Sequence, residues 1–117
     1  MNAVRTERVD GVCVARPRED IDAASARRVR DALAECLEEG CDSLVLDLSE
    51  TRYVDSAGID MLFRLSELLR ERRARLQLVI PRESNLARLA AIVALPSVVP
   101  VHESVELALA ATRETTA

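Results

Sequence analysis

Hydrophobic positions along this chain fall into two rhythms, and their alternation predicts its elements. Val4 to Val9 and Val12-Cys13-Val14-Ala15 are short strand-like runs. They are parted by Asp10-Gly11, a two-residue hairpin signal, and Pro17 closes the second. From Ala23 to Glu38 the apolar residues Val29, Leu33, Cys36 and Leu37, with Ala26 and Ala32 beside them, take helical spacing. Asp22 is placed to cap that helix and Gly40 to end it. Leu44-Val45-Leu46-Asp47-Leu48 is almost continuously apolar, the pattern of a covered strand. A second helical stripe follows from about Ala57 to Arg72, carrying Ile59, Leu62, Phe63, Ser66 and Leu69, widened by Met61, Leu65 and Leu68.

The remainder repeats the theme. Leu76 to Ile80 is a strand stopped by Pro81, and Ser84 to Ala94 a helix with Leu86, Leu89, Ala90 and Val93 inward. Val98-Val99-Pro100-Val101 reads as a short edge strand, because Pro100 has no N–H to give a ladder. Ser104 caps a last helix with Val105, Leu107, Ala108 and Leu109. The order ββα-βα-βα-βα predicts an α/β domain with a mixed central sheet, an N-terminal hairpin and about four helices. One domain over residues 1–112 and a frayed tail over 113–117 are expected.

The stretch Thr51 to Ile59 is the centre of interest. It hands a strand over to a helix, and Asp55-Ser56 falls at the helix start, where side-chain oxygens accept the orphan amides of the first turn. An ordinary cap explains the pair on local grounds. The small residues Ala57-Gly58 would also let another molecule approach the Ser56 hydroxyl. Asp60 and Arg64 lie one turn apart on the same side. Arg27, Arg28, Arg30 and Asp31 read as a solvated helix face. The basic run Arg70, Arg72, Arg73 and Arg75 complements the negative end of the helix dipole better than it argues for phosphate binding.

Composition narrows the function classes. The 117 residues suit one core, and a net charge of −4 argues against a general polyanion binder. Tyr53 and Phe63 are the only aromatics apart from His102, too few to stack on single-stranded nucleic acid. No apolar run approaches bilayer length, and no N-terminal signal peptide is expected. Cys13, Cys36 and Cys41 lack metal spacing and read as reduced thiols of a cytoplasmic protein, with a Cys36–Cys41 redox pair as the minor alternative. His102 is the single histidine and is remote in sequence from Ser56. No glycine-rich phosphate loop, nucleophile elbow or zinc spacing occurs. The chain is therefore expected not to be an enzyme and to need neither cofactor nor metal. A hydrolase built on Ser56 would lack its base.

Leu44-Val45-Leu46-Asp47-Leu48 followed by Val54-Asp55-Ser56-Ala57-Gly58-Ile59 resembles the signature of STAS domains, in particular of bacterial anti-sigma factor antagonists. Ile21-Asp22 resembles the end of that family's G-E-L-D segment, whose glycine is missing from Glu19-Asp20-Ile21-Asp22 here. The glycine usual after the second helix is also absent from Arg72-Arg73-Ala74-Arg75. The resemblance implies partner switching. The unphosphorylated antagonist would bind an anti-sigma factor that is also a serine kinase, and so free the sigma factor. Phosphorylation of Ser56 would release it, and a metal-dependent serine phosphatase would reset it. Asp22, Asp55, Ala57, Gly58, Asp60 and Arg64 would form the partner-binding surface. The alternative is a STAS domain without switching, either a subunit of a lipid-transport ABC system or a stressosome scaffold. Neither nucleic-acid binding nor membrane insertion is implied.

Overall fold

The computed structural model describes residues 4–115, with side chains to residue 113. Five strands form one sheet in the order β1-β2-β3-β4-β5: β1 (Val4–Val9), β2 (Val12–Pro17), β3 (Ser43–Asp47), β4 (Arg75–Val79) and β5 (Val101–His102). β1 runs antiparallel to β2, and the other three pairings are parallel. The hairpin turn closes on Asp10 and Gly11, both at positive φ (51° and 82°), which suits a turn that follows the sheet's twist. Among the described residues four α-helices complete the fold: α1 (Ala23–Glu38), α2 (Ser56–Glu71), α3 (Asn85–Ile92) and α4 (Val105–Thr115). This is the expected ββα-βα-βα-βα order in an α/β domain.

Side-chain alternation divides the core in two. Leu44, Leu46, Leu76 and Leu78 point to the face covered by α1, α2 and α3 and pack with Val29, Leu33, Leu62, Leu65 and Leu69. Val12, Val14, Val45 and Val79 point to the opposite face and pack under Ala108 of α4. Both faces of β3 are thus covered, which explains its unbroken apolar sequence. Asp47 ends that strand as a buried carboxylate held by Arg16 Nε at 2.7 Å and by the Ser49 amide at 3.0 Å. The Asp47 hydrogen bond, more than any other influence, raises the pKa of the Arg16 guanidinium.

Val45 and Val79 share a cluster with each other but not with Leu46 and Leu62, because adjacent strand residues face opposite ways. Several expectations change. Ile59 and Phe63 are only partly buried, and Leu68 is exposed, so the α2 stripe is narrower than its sequence pattern. The segment expected as an edge strand from Val98 instead follows a 3₁₀ turn at Leu95–Ser97, and only Val101 and His102 pair with β4. Helix α4 continues to Thr115, which takes the start of the expected 113–117 tail into helix; residues 116 and 117 lie outside the described residues. The cysteines are not three free thiols. Cys13 of β2 and Cys36 of α1 face each other across the core and are joined by a disulfide, while Cys41 is free and buried. Their Cα atoms are 6.5 Å apart, within the range a disulfide spans.

Candidate functional site

Two helices start side by side at one end of the sheet, and the loops leading into them are joined. The Ile21 amide donates to the Tyr53 carbonyl at 2.9 Å, and the Asp55 amide donates to the Ile21 carbonyl at 3.0 Å. Ile21 and Val54 form an isolated parallel bridge. Asp20 Oδ1 accepts from the amides of Arg52 and Tyr53, both at 3.2 Å. The α1 and α2 N-termini are therefore fixed to each other by backbone contacts across more than thirty residues of sequence.

Each helix has an aspartate cap. Asp22 Oδ1 accepts from the Ala24 and Ser25 amides at 3.0 and 2.9 Å, while Ser25 Oγ accepts from the Asp22 amide at 2.9 Å, closing a capping box. These donors, the Ser25 amide foremost and then its hydroxyl, hold the Asp22 carboxyl below the usual carboxylate range. Asp55 Oδ1 accepts from the Gly58 amide at 2.9 Å. Asp55 alone thus performs the capping that the sequence left divided between Asp55 and Ser56. Ser56 is the first residue of α2, is exposed, and its hydroxyl makes no hydrogen bond among the described residues.

Gly58 explains how the two loops come so close. A Cβ built there would lie 2.5 Å from Val54 Cγ1, 2.8 Å from Ile21 Cγ2 and 3.0 Å from the Ile21 carbonyl oxygen. Only a residue without a side chain admits the Ile21–Val54 bridge beneath the first turn of α2. Gly58 is buried, so its role is to shape the site from within, although it was expected among the partner-binding residues.

Two grooves flank the exposed turn. One runs between α1 and α2, has a volume of about 260 Å³, and takes Ala57, Asp60 and Arg64 from α2 and Ala26, Arg27 and Arg30 from α1. Asp60 and Arg64 form an exposed ion pair there at 2.8 Å. The other, of about 430 Å³, runs between α2 and α3 past Asp55, Ser56, Ile59, Phe63, Leu89 and Val93. The structure thus brings Asp55, Ser56, Ala57, Asp60 and Arg64 together on and around one helix start, with Asp22 capping the neighbouring helix. Sequence reasoning missed two contributors. Asp20, which the sequence offers only as a member of Glu19-Asp20-Ile21-Asp22, holds the α2 approach. Arg27 and Arg30 are exposed, as expected of a solvated face, and they also line the first groove. Only the helical spacing from Arg27 to Arg30 to Ala23 could have hinted at the latter.

Among the described residues no helix is long and apolar enough to cross a membrane, and no three His, Cys, Asp or Glu side chains cluster as metal ligands.

Comparison with known proteins adds the family. The STAS domain model matches residues 3–108. No match is found among curated proteins. A Thermotoga maritima protein assigned as an anti-sigma factor antagonist superposes with a TM-score of 0.83 at 19% identity, over 94% of both chains. An anti-sigma factor antagonist from Mycobacterium paratuberculosis gives 0.83 at 24% identity, over 94% of this chain and 92% of its own. The anti-sigma factor antagonist SpoIIAA gives 0.75 at 17% identity in its unphosphorylated form, over 96% and 97%, and a structure of its phosphorylated form from Bacillus also matches. At these identities the neighbours speak for the fold, and the family match spans most of the sequence. The chain belongs to the STAS domain family.

Proposed function

We propose that this chain is an anti-sigma factor antagonist that works by partner switching, with Ser56 as its phosphoacceptor. The observation that carries the proposal is the state of Ser56: exposed, unbonded, first in its helix, and set on a backbone that Asp55, Gly58 and Ile21 hold without its help. A kinase can reach such a hydroxyl, and its modification removes no contact of the folded chain. Several neighbours with solved structures are anti-sigma factor antagonists, one of them known in phosphorylated form, which supports the same reading.

In the unphosphorylated state the surface around Asp22, Asp55, Ala57, Asp60 and Arg64 docks an anti-sigma factor that is also a serine kinase, and the sigma factor is freed. Transfer of the γ-phosphoryl group from ATP to Ser56 Oγ adds about −1.5 to −2 charges at neutral pH. The helix N-terminus tolerates that charge from its own chain. The partner does not, because the phosphate stands beside Asp55 and Asp60 in the centre of the docked surface. A loss of about 3–4 kcal/mol there weakens binding by a factor of several hundred. A metal-dependent serine phosphatase restores the hydroxyl. The chain itself catalyses nothing in this cycle and acts in the cytoplasm.

The test is incubation of the purified chain with a candidate anti-sigma factor kinase and ATP, followed by mass spectrometry. Phosphate on Ser56 and dissociation of the complex are expected. Phosphate confined to Ser25, Ser66 or Ser84 would overturn the assignment of the acceptor. Binding to the kinase that is unchanged by ATP would favour a non-switching STAS role.

A further inference from the structure

The basic run at the end of α2 remains unexplained by partner switching. Among the described residues eight of the sixteen arginines form ion pairs, and Arg70, Arg72, Arg73 and Arg75 are the four of the remaining eight that fall together in sequence, with no carboxylate within 4.0 Å. Four unneutralised guanidinia in six positions are conspicuous in a chain of net charge −4. Compensation of the helix dipole accounts for one of them, since only Arg70 lies in the last turn.

Two of the four, Arg70 and Arg75, stand on a groove of about 400 Å³ at the far end of α2 from Ser56. Its origin is the shortness of β5. That strand pairs only with Leu78 and Val79, so Arg75, Leu76 and Gln77 have no strand neighbour on that side. The gap is bounded by α2 on one face of the sheet and by α4 on the other, through Ser66 and Ala111. Its walls are chiefly aliphatic: Ala74, Leu76, Val98, Pro100 and Ala111. Its polar members are unusual. Gln77 is 7% exposed, its Nε2 donates to Thr112 Oγ1, and its Oε1 is buried without a partner. His102 Nε2, on the same wall, is also buried and unpartnered. Buried polar atoms usually have partners, so these two mark this wall as polar beneath its aliphatic lining.

We propose that this groove binds a small amphipathic carboxylate, with its charged end on Arg70 and Arg75 and its aliphatic chain along Ala74, Leu76 and Val98. The volume falls within the range of small-molecule pockets, and the division into an apolar wall with a few placed polar groups is their usual composition. A guanidinium suits a carboxylate because the two oxygens match its fork of donors, and two arginines stand on this groove. No Phe, Tyr or Trp lines the groove, which disfavours a nucleotide base. Ser66 lies about 15 Å along the helix axis from Ser56. The groove is thus separate from the phosphoacceptor, and its occupancy does not depend on the partner-switching reading.

The experiment is a titration of the full chain with octanoate, followed by backbone amide NMR. Saturable shifts centred on Ser66, Gln77 and His102 are expected. Replacing both Arg70→Gln and Arg75→Gln should weaken binding at least tenfold. The exposed control Arg72→Gln with Arg73→Gln should change it less than twofold. Circular dichroism of each variant establishes that the fold is intact. 1-Octanol, with the same chain and no charge, should bind at least tenfold more weakly than octanoate. The proposal is overturned if no saturable shift appears at millimolar octanoate, or if the shifts centre elsewhere. It is also overturned if both double variants weaken binding equally, or if acetate binds as tightly, since charge alone would then suffice. Occupation of the β4 edge by an extended acidic peptide without any octanoate binding would identify a protein-docking edge in its place.

Discussion

Gly58 of α2 and Ile21, just before α1, approach so closely that a Cβ on Gly58 would lie 2.8 Å from Ile21 Cγ2. Ile21 and Val54, its other close neighbour, are both fully buried and β-branched, so neither can turn aside easily. Gly58→Ala should therefore lower stability although it improves helix propensity. Overpacking costs about 1–3 kcal/mol, and the roughly 1 kcal/mol gained by alanine in a helix offsets only part of it. Urea denaturation of the two proteins checks this. A more stable alanine variant would mean that the two loops are not held together as tightly as the Ile21–Val54 bridge implies.

Asp22 offers a pH signature. Its carboxyl is held below the usual range by the Ser25 amide and hydroxyl. A carboxyl depressed in the folded state contributes stability that is fully present above its unfolded pKa, about 3.9, and is lost as pH falls through the folded value. Asp22→Ala should thus melt lower than the parent chain at neutral pH, and the difference should narrow below about pH 4. Melting curves taken between pH 7 and pH 3 test the sign. A difference that grows on acidification would show that Asp22 does not cap as a carboxylate.

The second helix makes an unequal pair of Leu62 and Phe63. Leu62 is fully buried, whereas Phe63 is partly exposed on the groove beside Ser56. Leu62→Ala should cost about 2–5 kcal/mol, and Phe63→Ala less than the 3–5 kcal/mol of a fully buried aromatic. The same Phe63→Ala change should weaken docking of the proposed anti-sigma partner, because it strips apolar surface from the groove that Phe63 shares with Asp55, Ser56 and Asp60. Thermal melts beside a binding titration separate the two effects. Equal losses of stability would place Phe63 in the core after all.

How far the sequence foretold this arrangement depends on which contacts were local. The hairpin at Asp10-Gly11, the caps at Asp22, Asp55 and Ser84, and the stop at Gly40 are decided within a few residues, and all appear where their chemistry places them. Face assignment was legible only where the period was unambiguous. A continuous run such as Leu44 to Leu48 does not say which residues face which way, and in the fold Val45 and Leu46 are separated by the sheet. The Cys13–Cys36 pairing and the Asp20 bridge to Arg52 and Tyr53 depend on which elements become neighbours, and spacing along one chain carries no such information. At the site, Ser56 and its neighbours stood out by their position between strand and helix. That the Ser56 hydroxyl bonds to nothing among the described residues depends on how the two loops pack, which the sequence does not spell out.

That free hydroxyl sets up the most direct functional prediction. Since Asp55 provides the cap and Ser56 Oγ bonds to nothing described, Ser56→Ala should change stability by no more than about 0.5 kcal/mol, as at other unencumbered surface positions. The variant should bind the anti-sigma partner like the parent chain. With ATP present it should remain bound, because its side chain offers no acceptor. Ser56→Asp should bind more weakly without any kinase activity, since it places negative charge beside Asp55 and Asp60. A carboxylate carries less charge and fewer acceptor oxygens than a phosphate, so its effect should be smaller than that of phosphorylation. Affinities of the parent, alanine and aspartate proteins, each measured with and without ATP, form one closed comparison. If Ser56→Ala loses affinity before ATP is added, the hydroxyl is a docking contact. If Ser56→Asp binds as tightly as the parent, charge at the start of α2 is not what drives the partners apart.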